Sequence, residues 1–141
     1  MKLYFDTNVL IDAFTNRDKE SEFSTFCFRL VQRDLAKGYI NAKQLSDIFY
    51  VMNKCLGKEE ALDCIDIISS LFVVVPFTKN SLTNEHAKKF NDLEDGSIDN
   101  SAKEFCCDYL LTRNTKHFSN SDNKVLTPKE FVNIYNVIRE K

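Results

Sequence analysis

The sequence predicts an α/β fold, a doubly wound α/β/α sandwich with a central parallel sheet, and three observations carry that prediction. Short apolar runs alternate with stretches of helical period along the whole chain. One run, Leu71-Phe72-Val73-Val74-Val75, is apolar on both faces and rich in β-branched residues, which predicts a central strand covered on both sides. With only three glycines and two prolines in 141 residues there is no room for a linker, so a single domain is expected over residues 1–141.

The elements follow in order. Leu3-Tyr4-Phe5 is a strand that stops at Asp6-Thr7-Asn8, residues suited to turns and helix starts, before Val9-Leu10-Ile11 resumes. Over residues 20–36, Phe23, Phe26, Cys27, Leu30, Val31 and Leu35 recur at helical steps, predicting an amphipathic helix closed by Lys37-Gly38. Tyr39-Ile40 is a short strand. Leu45, Ile48, Phe49, Met52 and Leu56 mark a second helix ending at Gly57, and Ala61, Ile65, Ile68 and Leu71 a third. After the strand ending at Pro76, helical spacing returns over residues 81–90 and 98–107, and Tyr109-Leu110-Leu111 leads into the turn-rich Thr112-Arg113-Asn114. Val125-Leu126 precedes Thr127-Pro128-Lys129-Glu130, a capping box with proline at the first helical position, and the final helix presents Phe131, Ile134, Tyr135 and Ile138.

Composition removes several classes of function. No stretch approaches the ~18 apolar residues needed to cross a bilayer, and the N-terminus lacks the pattern of a signal peptide, so a cytoplasmic protein is expected. Five cysteines without C-x-x-C spacing read as reduced, mostly buried thiols, and His86 and His117 have no paired spacing that would make a zinc site. A net charge of −2 is not that of a general nucleic-acid coat. Local basic groups, Arg29, Arg33 and Lys37 or Arg113 and Lys116, could still form a stripe beside an acidic centre.

In an open parallel sheet, ligands sit beyond the carboxyl ends of the strands, so acids just after strands draw the eye. Asp6 is one, although an aspartate there also serves as a helix N-cap. Asp47 lies near the start of the second helix, where the dipole favours a carboxylate. Asp92, Glu94, Asp95 and Asp99 gather around another helix start, and helical spacing sets Asp95 and Asp99 on one face. Carboxylates that close repel one another and favour a hard cation, magnesium or manganese, which takes oxygen ligands.

Phe5-Asp6-Thr7-Asn8-Val9-Leu10-Ile11-Asp12 resembles the opening motif of PIN domains, residues 95–102 resemble their third motif, and Leu110-Leu111-Thr112-Arg113-Asn114 with His117-Phe118 is similar to their fourth. The matches keep order and spacing over essentially the whole chain, and the sequence looks most like bacterial PIN proteins of the VapC toxin type. The resemblance implies a metal-dependent endoribonuclease in which Asp6, Asp47 and Asp95 bind Mg2+ or Mn2+. It also implies that Asn8 and Thr112 orient these acids, while Asn114 stands where a fourth acid often appears. Asp47 occupies a place more often held by Glu, and Asn114 and His117 replace aspartates, so Asp99 or Asp12 are the acids available to compensate. RNA as substrate, a small antitoxin partner and a homodimer follow from the same resemblance. Two other readings stay open: a degenerate PIN domain that binds RNA or protein without cutting, and a phosphatase or phosphotransfer domain with Asp6 as nucleophile.

Overall fold

The computed structural model describes residues 1–140, and its sheet contains five parallel strands in the order β3-β2-β1-β4-β5. The strands are β1 Lys2–Phe5, β2 Lys37–Asn41, β3 Val73–Val75, β4 Tyr109–Leu111 and β5 Val125–Leu126. The helices are α1 Thr7–Thr15, α2 Ser21–Gln32, α3 Ala42–Leu56, α4 Lys58–Leu71, α5 Lys79–Thr83, α6 Leu93–Glu104 and α7 Pro128–Glu140. From β1 the chain winds outward through β2 to β3, then crosses back to β4 and β5 on the other side. The order therefore reverses between β1 and β4, and a ligand crevice is expected at their carboxyl ends.

Alternation along the strands divides the core in two. Leu3, Phe5, Ile40 and Leu111 face a large apolar layer with α1, α2, α3, α4 and α7, where Val9, Leu10, Ile48, Met52, Ile68 and Phe131 are buried. Tyr4, Tyr39, Val75 and Leu110 face a smaller layer with Phe90, Ile98, Ala102 and Phe118. The two-sided burial is what a parallel sheet with crossover helices requires.

Three expectations change. The run at Val73–Val75 is an edge strand, with Val73 and Val74 only partly buried, and the fully buried centre is β1, whose Leu3, Tyr4 and Phe5 have no solvent exposure. Helix α2 stops at Gln32 and Asp34 adopts a positive φ of 60°, so Gly38 lies inside β2. A glycine is needed there because a Cβ would come within 2.5 Å of the Phe72 ring. All five cysteines are free thiols, but only Cys27 and Cys64 are buried, while Cys55 and Cys106 are exposed. Among the described residues no helix is long and apolar enough to cross a membrane.

Candidate active site

Asp6 ends β1 at the point where the strand order reverses. Its backbone N–H extends the ladder to the Leu111 carbonyl at 2.8 Å, and the Thr112 N–H does the same to Leu126 at 3.0 Å. The two residues after β1 and β4 are thus held side by side by sheet hydrogen bonding. The Asp6 carboxylate accepts from the Thr7 N–H at 2.8 Å and from the Thr112 hydroxyl at 2.7 Å, so both of its oxygens are oriented. Burial pushes its pKa up, against these two hydrogen bonds, which pull it down.

Asp6, Asp47, Asp92, Glu94 and Asp95 line one cleft of about 360 Å³, together with the end of β4. Asp95 comes from the first turn of α6. Asp92 is the N-cap of that helix and accepts from the Glu94 and Asp95 N–H groups at 2.8 and 3.1 Å. The start of α6 packs directly on the turn at residues 87–89 because residue 96 is glycine: a Cβ there would sit 2.4 Å from the Ala87 carbonyl oxygen. The Asp95 pKa is pushed up to about 6, first by burial and then by the negative charges of Asp92 and Asp6.

A second device fixes α3. The Gln44 side-chain amide accepts from the Tyr4 hydroxyl and from the Asn41 N–H, both at 2.9 Å, and donates to the Phe5 carbonyl at 2.8 Å. The Asn41 side chain returns a bond from the Gln44 N–H at 2.9 Å, completing a capping box. One buried side chain thereby ties the last residue of β1 to the helix that carries Asp47.

The sequence-derived residues fare differently. Asp47 lines the cleft, but Lys43 stands 3.0 Å from it and also pairs with Glu94 at 2.8 Å, bridging α3 to α6. Lys43 is correspondingly harder to deprotonate, through its bonds to Glu94 and then Asp47. Asn8 is exposed at the cleft, and the Asp6 oxygen expected to meet it is held instead by the Thr7 N–H. Asn114 lines the cleft and contacts His117 at 3.0 Å, while His117 Nδ1 lies 3.6 Å from Asp95.

Two candidates do not belong to the cleft. Asp99 is fully buried and receives His86 Nε2 at 2.7 Å, Asn123 Nδ2 at 2.9 Å and the Ser121 hydroxyl, so its oxygens are spent on clasping α6 to two loops. His86 is therefore the anchored partner of a buried acid. Asp12 is also fully buried, between Arg17 at 2.6 Å and Arg113 at 2.8 Å; two guanidinium groups satisfy it and leave nothing for a cation. Gln44 and Lys43 went unassigned in the sequence; Asp92 and Arg113, read there as part of an acidic cluster and of a basic stripe, act as the N-cap of α6 and as a partner of Asp12.

Among the described residues, no three acidic, histidine or cysteine side chains stand close enough to hold an ion as arranged. The donor set nonetheless suits a hard divalent cation. It is made of oxygens, and after burial the charge of Asp92 raises the pKa of both Asp6 and Asp95, with Asp6 adding to the rise at Asp95, a crowding of negative charge that a cation would relieve.

The family model described as PIN domain matches residues 2–116. Ribonuclease VapC1 of Aquifex aeolicus is 28% identical over 142 residues, covering 97% of each protein. VapBC2 from Rickettsia felis, solved bound to a DNA fragment from its promoter, superposes with a TM-score of 0.65 at 19% identity, covering 90% of this chain and 98% of that one. VapC20 of Mycobacterium tuberculosis, described as a sarcin-ricin loop cleaving toxin, gives a TM-score of 0.64 at 11% identity over 84% of this chain and 94% of its own.

Proposed function

Since the chain belongs to the PIN-domain family, we propose that it is an Mg2+- or Mn2+-dependent endoribonuclease that hydrolyses RNA phosphodiester bonds, and that it serves as the toxin of a toxin–antitoxin pair. The observation that carries the reading is the cleft at the β1/β4 reversal, where an Asp6 locked by Thr112 faces a half-buried Asp95 in a common negative field. Asp6 and Asp95 would hold the ion, and Asp47 would join them once Lys43 yields. When bound, the cation supplies Lewis-acid stabilisation of charge developing on the phosphate and makes water a competent nucleophile near neutral pH.

The chain's own residues supply the positioning. Thr112 and the Thr7 N–H fix the Asp6 oxygens, Gln44 fixes the start of α3, and Asp92 fixes the first turn of α6. Pre-arranged carboxylates of this kind avoid reorganisation at the moment of reaction. The similar Aquifex protein bears the name ribonuclease, and similar folds occur in toxin–antitoxin complexes from Rickettsia felis and Klebsiella pneumoniae. These support an antitoxin partner; that it is small and places a basic side chain in the acidic cleft, that the chain forms a homodimer, and that it works in the cytoplasm with its free thiols reduced are part of the same proposal.

RNA cleavage by the wild type and Asp6→Asn, with and without manganese, tests the reading. Manganese-dependent cleavage that falls at least about 100-fold in the variant is expected. Cleavage indifferent to metal or to Asp6 would overturn it. The neutral Asn114 and the Lys43 bridge over Asp47 favour one other reading, a binding module of the same fold, and RNA binding without cleavage under any metal would select it.

A further inference from the structure

Beside the acidic cleft lies a second cavity of about 320 Å³, lined by Glu20, Ser24, Arg113, Thr127, Pro128 and Lys129. Arg113 lines both, so the two cavities adjoin. Ser24 is fully buried, and its hydroxyl is the one buried side-chain polar atom among the described residues with no hydrogen-bond partner. A helical serine or threonine ordinarily turns back to the carbonyl four residues earlier. Thr25 does so on the same helix, at 3.0 Å from the Ser21 carbonyl, and Ser24 does not. An unsatisfied buried hydroxyl on a cavity wall calls for a partner, and the protein does not provide one.

The walls define the chemistry of that partner. Arg113 Nη1 is shared between Asp12 at 2.8 Å and Asp18 at 3.0 Å, which neutralises its charge, and the Glu20 carboxylate offsets the Lys129 ammonium, so the wall has no surplus positive charge to hold a bare phosphate. A neutral heterocycle with donors and acceptors on its rim is a good one. We propose that this cavity is a base-binding subsite that takes a guanine of the RNA strand next to the phosphodiester in the acidic cleft. The carboxylate of Glu20 matches the adjacent N1–H and N2–H₂ donors of guanine, a pair no other standard RNA base presents. Ser24, Lys129 and Arg113 offer donors for O6 and N7, and the Pro128 ring offers an apolar face. Unpaired bases are read in this way, by edge hydrogen bonds in a pocket that accepts a splayed nucleotide.

The assignment rests on the ribonuclease reading, and two measurements separate the fates of the two. The first is cleavage of single-stranded RNA randomised around the cut, with manganese, by wild type, Glu20→Gln and Ser24→Ala. Wild type should favour guanine at one position flanking the cut; Glu20→Gln should reduce that preference about 10- to 100-fold, the scale of one bidentate base contact. The preference should also weaken several-fold in Ser24→Ala. The second is backbone NMR titration of uncut protein with guanosine 5′-monophosphate, adenosine 5′-monophosphate and cytidine 5′-monophosphate. Shifts at Ser24, Thr127 and Lys129 specific to the guanine nucleotide would support the subsite even if no RNA were cut, a result that would sink only the ribonuclease reading. A guanine preference that survives Glu20→Gln, cleavage without base preference, or equal shifts from all three nucleotides would overturn the subsite.

Discussion

The Thr112 hydroxyl donates to Asp6 Oδ2 across 2.7 Å, joining the residue after β4 to the residue after β1 with a single charge-assisted bond. Thr112 is fully buried, so its hydroxyl exchanges little with solvent. Thr112→Val keeps the shape and removes the donor, which should lower stability by about 2 kcal/mol, the usual worth of a hydrogen bond to a charged group. Activity should fall by at least tenfold as Asp6 loses its orientation, and Thr112→Ser should restore most of both. Urea unfolding and RNA cleavage rates on the pair of variants check this; a loss in Thr112→Ser as large as or larger than that in Thr112→Val would show that the hydroxyl is not what matters most.

Asp95 makes apo stability depend on pH in a definite direction. Its folded pKa of about 6 lies above the ordinary 3.8. Between those values the folded state holds a proton that the unfolded chain has released, so stability from this group is present at low pH and lost as pH rises through about 6. At pH 7 the charged form is a penalty, and Asp95→Asn should make the apo protein more stable by no more than about 1 kcal/mol, since solvent screens this partly exposed group. The same variant should abolish the upward shift of the melt by manganese. An apo protein that unfolds on this substitution would instead give Asp95 a structural role at the start of α6, one the contacts assign to Asp92.

Asp99 should behave in the opposite way. It is fully buried with His86, Ser121 and Asn123 around it, and Asp99→Ala would leave those groups without their acceptor. A loss of about 3 to 5 kcal/mol is expected, as for the removal of one member of a buried ionic network. Manganese should still raise the melting temperature of whatever folded protein remains. If that response disappears in a folded Asp99 variant, the acid is coupled to the cleft after all.

Lys43 holds Asp47 and Glu94 together at 3.0 and 2.8 Å, and its ammonium occupies the place where a cation would gain from both. Lys43→Met should tighten manganese binding several-fold, because removing a positive charge strengthens the field felt by an incoming ion. Calorimetric titration gives the answer directly. Weaker binding in the variant would mean that Lys43 positions Asp47 for the metal rather than competing with it.

The contrast between Asp6 and Asp99 shows how far this chain could be read without its structure. Asp6 was legible because its place after a strand of pure apolar residues determines where it ends up in any parallel sheet. Asp99 was not, because helical spacing puts it on roughly the same face as Asp95, and only the loops carrying His86, Ser121 and Asn123 decide which way it is used. The surroundings of Asp12 lie out of reach of the sequence for the same reason: its partner Arg113 is 101 residues away. The apolar run at Val73–Val75 looked central from composition, yet an edge strand beside a covering helix can be as hydrophobic as an inner one. Alternation of strand and helix survived intact, since it depends on neighbours in sequence.

Gln44 carries a consequence for how variation in this protein would be interpreted. Both ends of its amide are engaged by different segments, the oxygen by Tyr4 and the Asn41 N–H, the nitrogen by the Phe5 carbonyl. Glutamate would present an acceptor where a donor is required, asparagine would fall short by a methylene, and a hydrophobic residue would strand several buried groups at once. A saturation screen scored on activity would therefore rank position 44 beside the acidic residues, and its intolerance would be mistaken for chemistry. Glutamine there works as a mechanical part: it transmits the position of the first strand to the third helix, and its failure would pass for lost catalysis in every assay that does not separate folding from turnover.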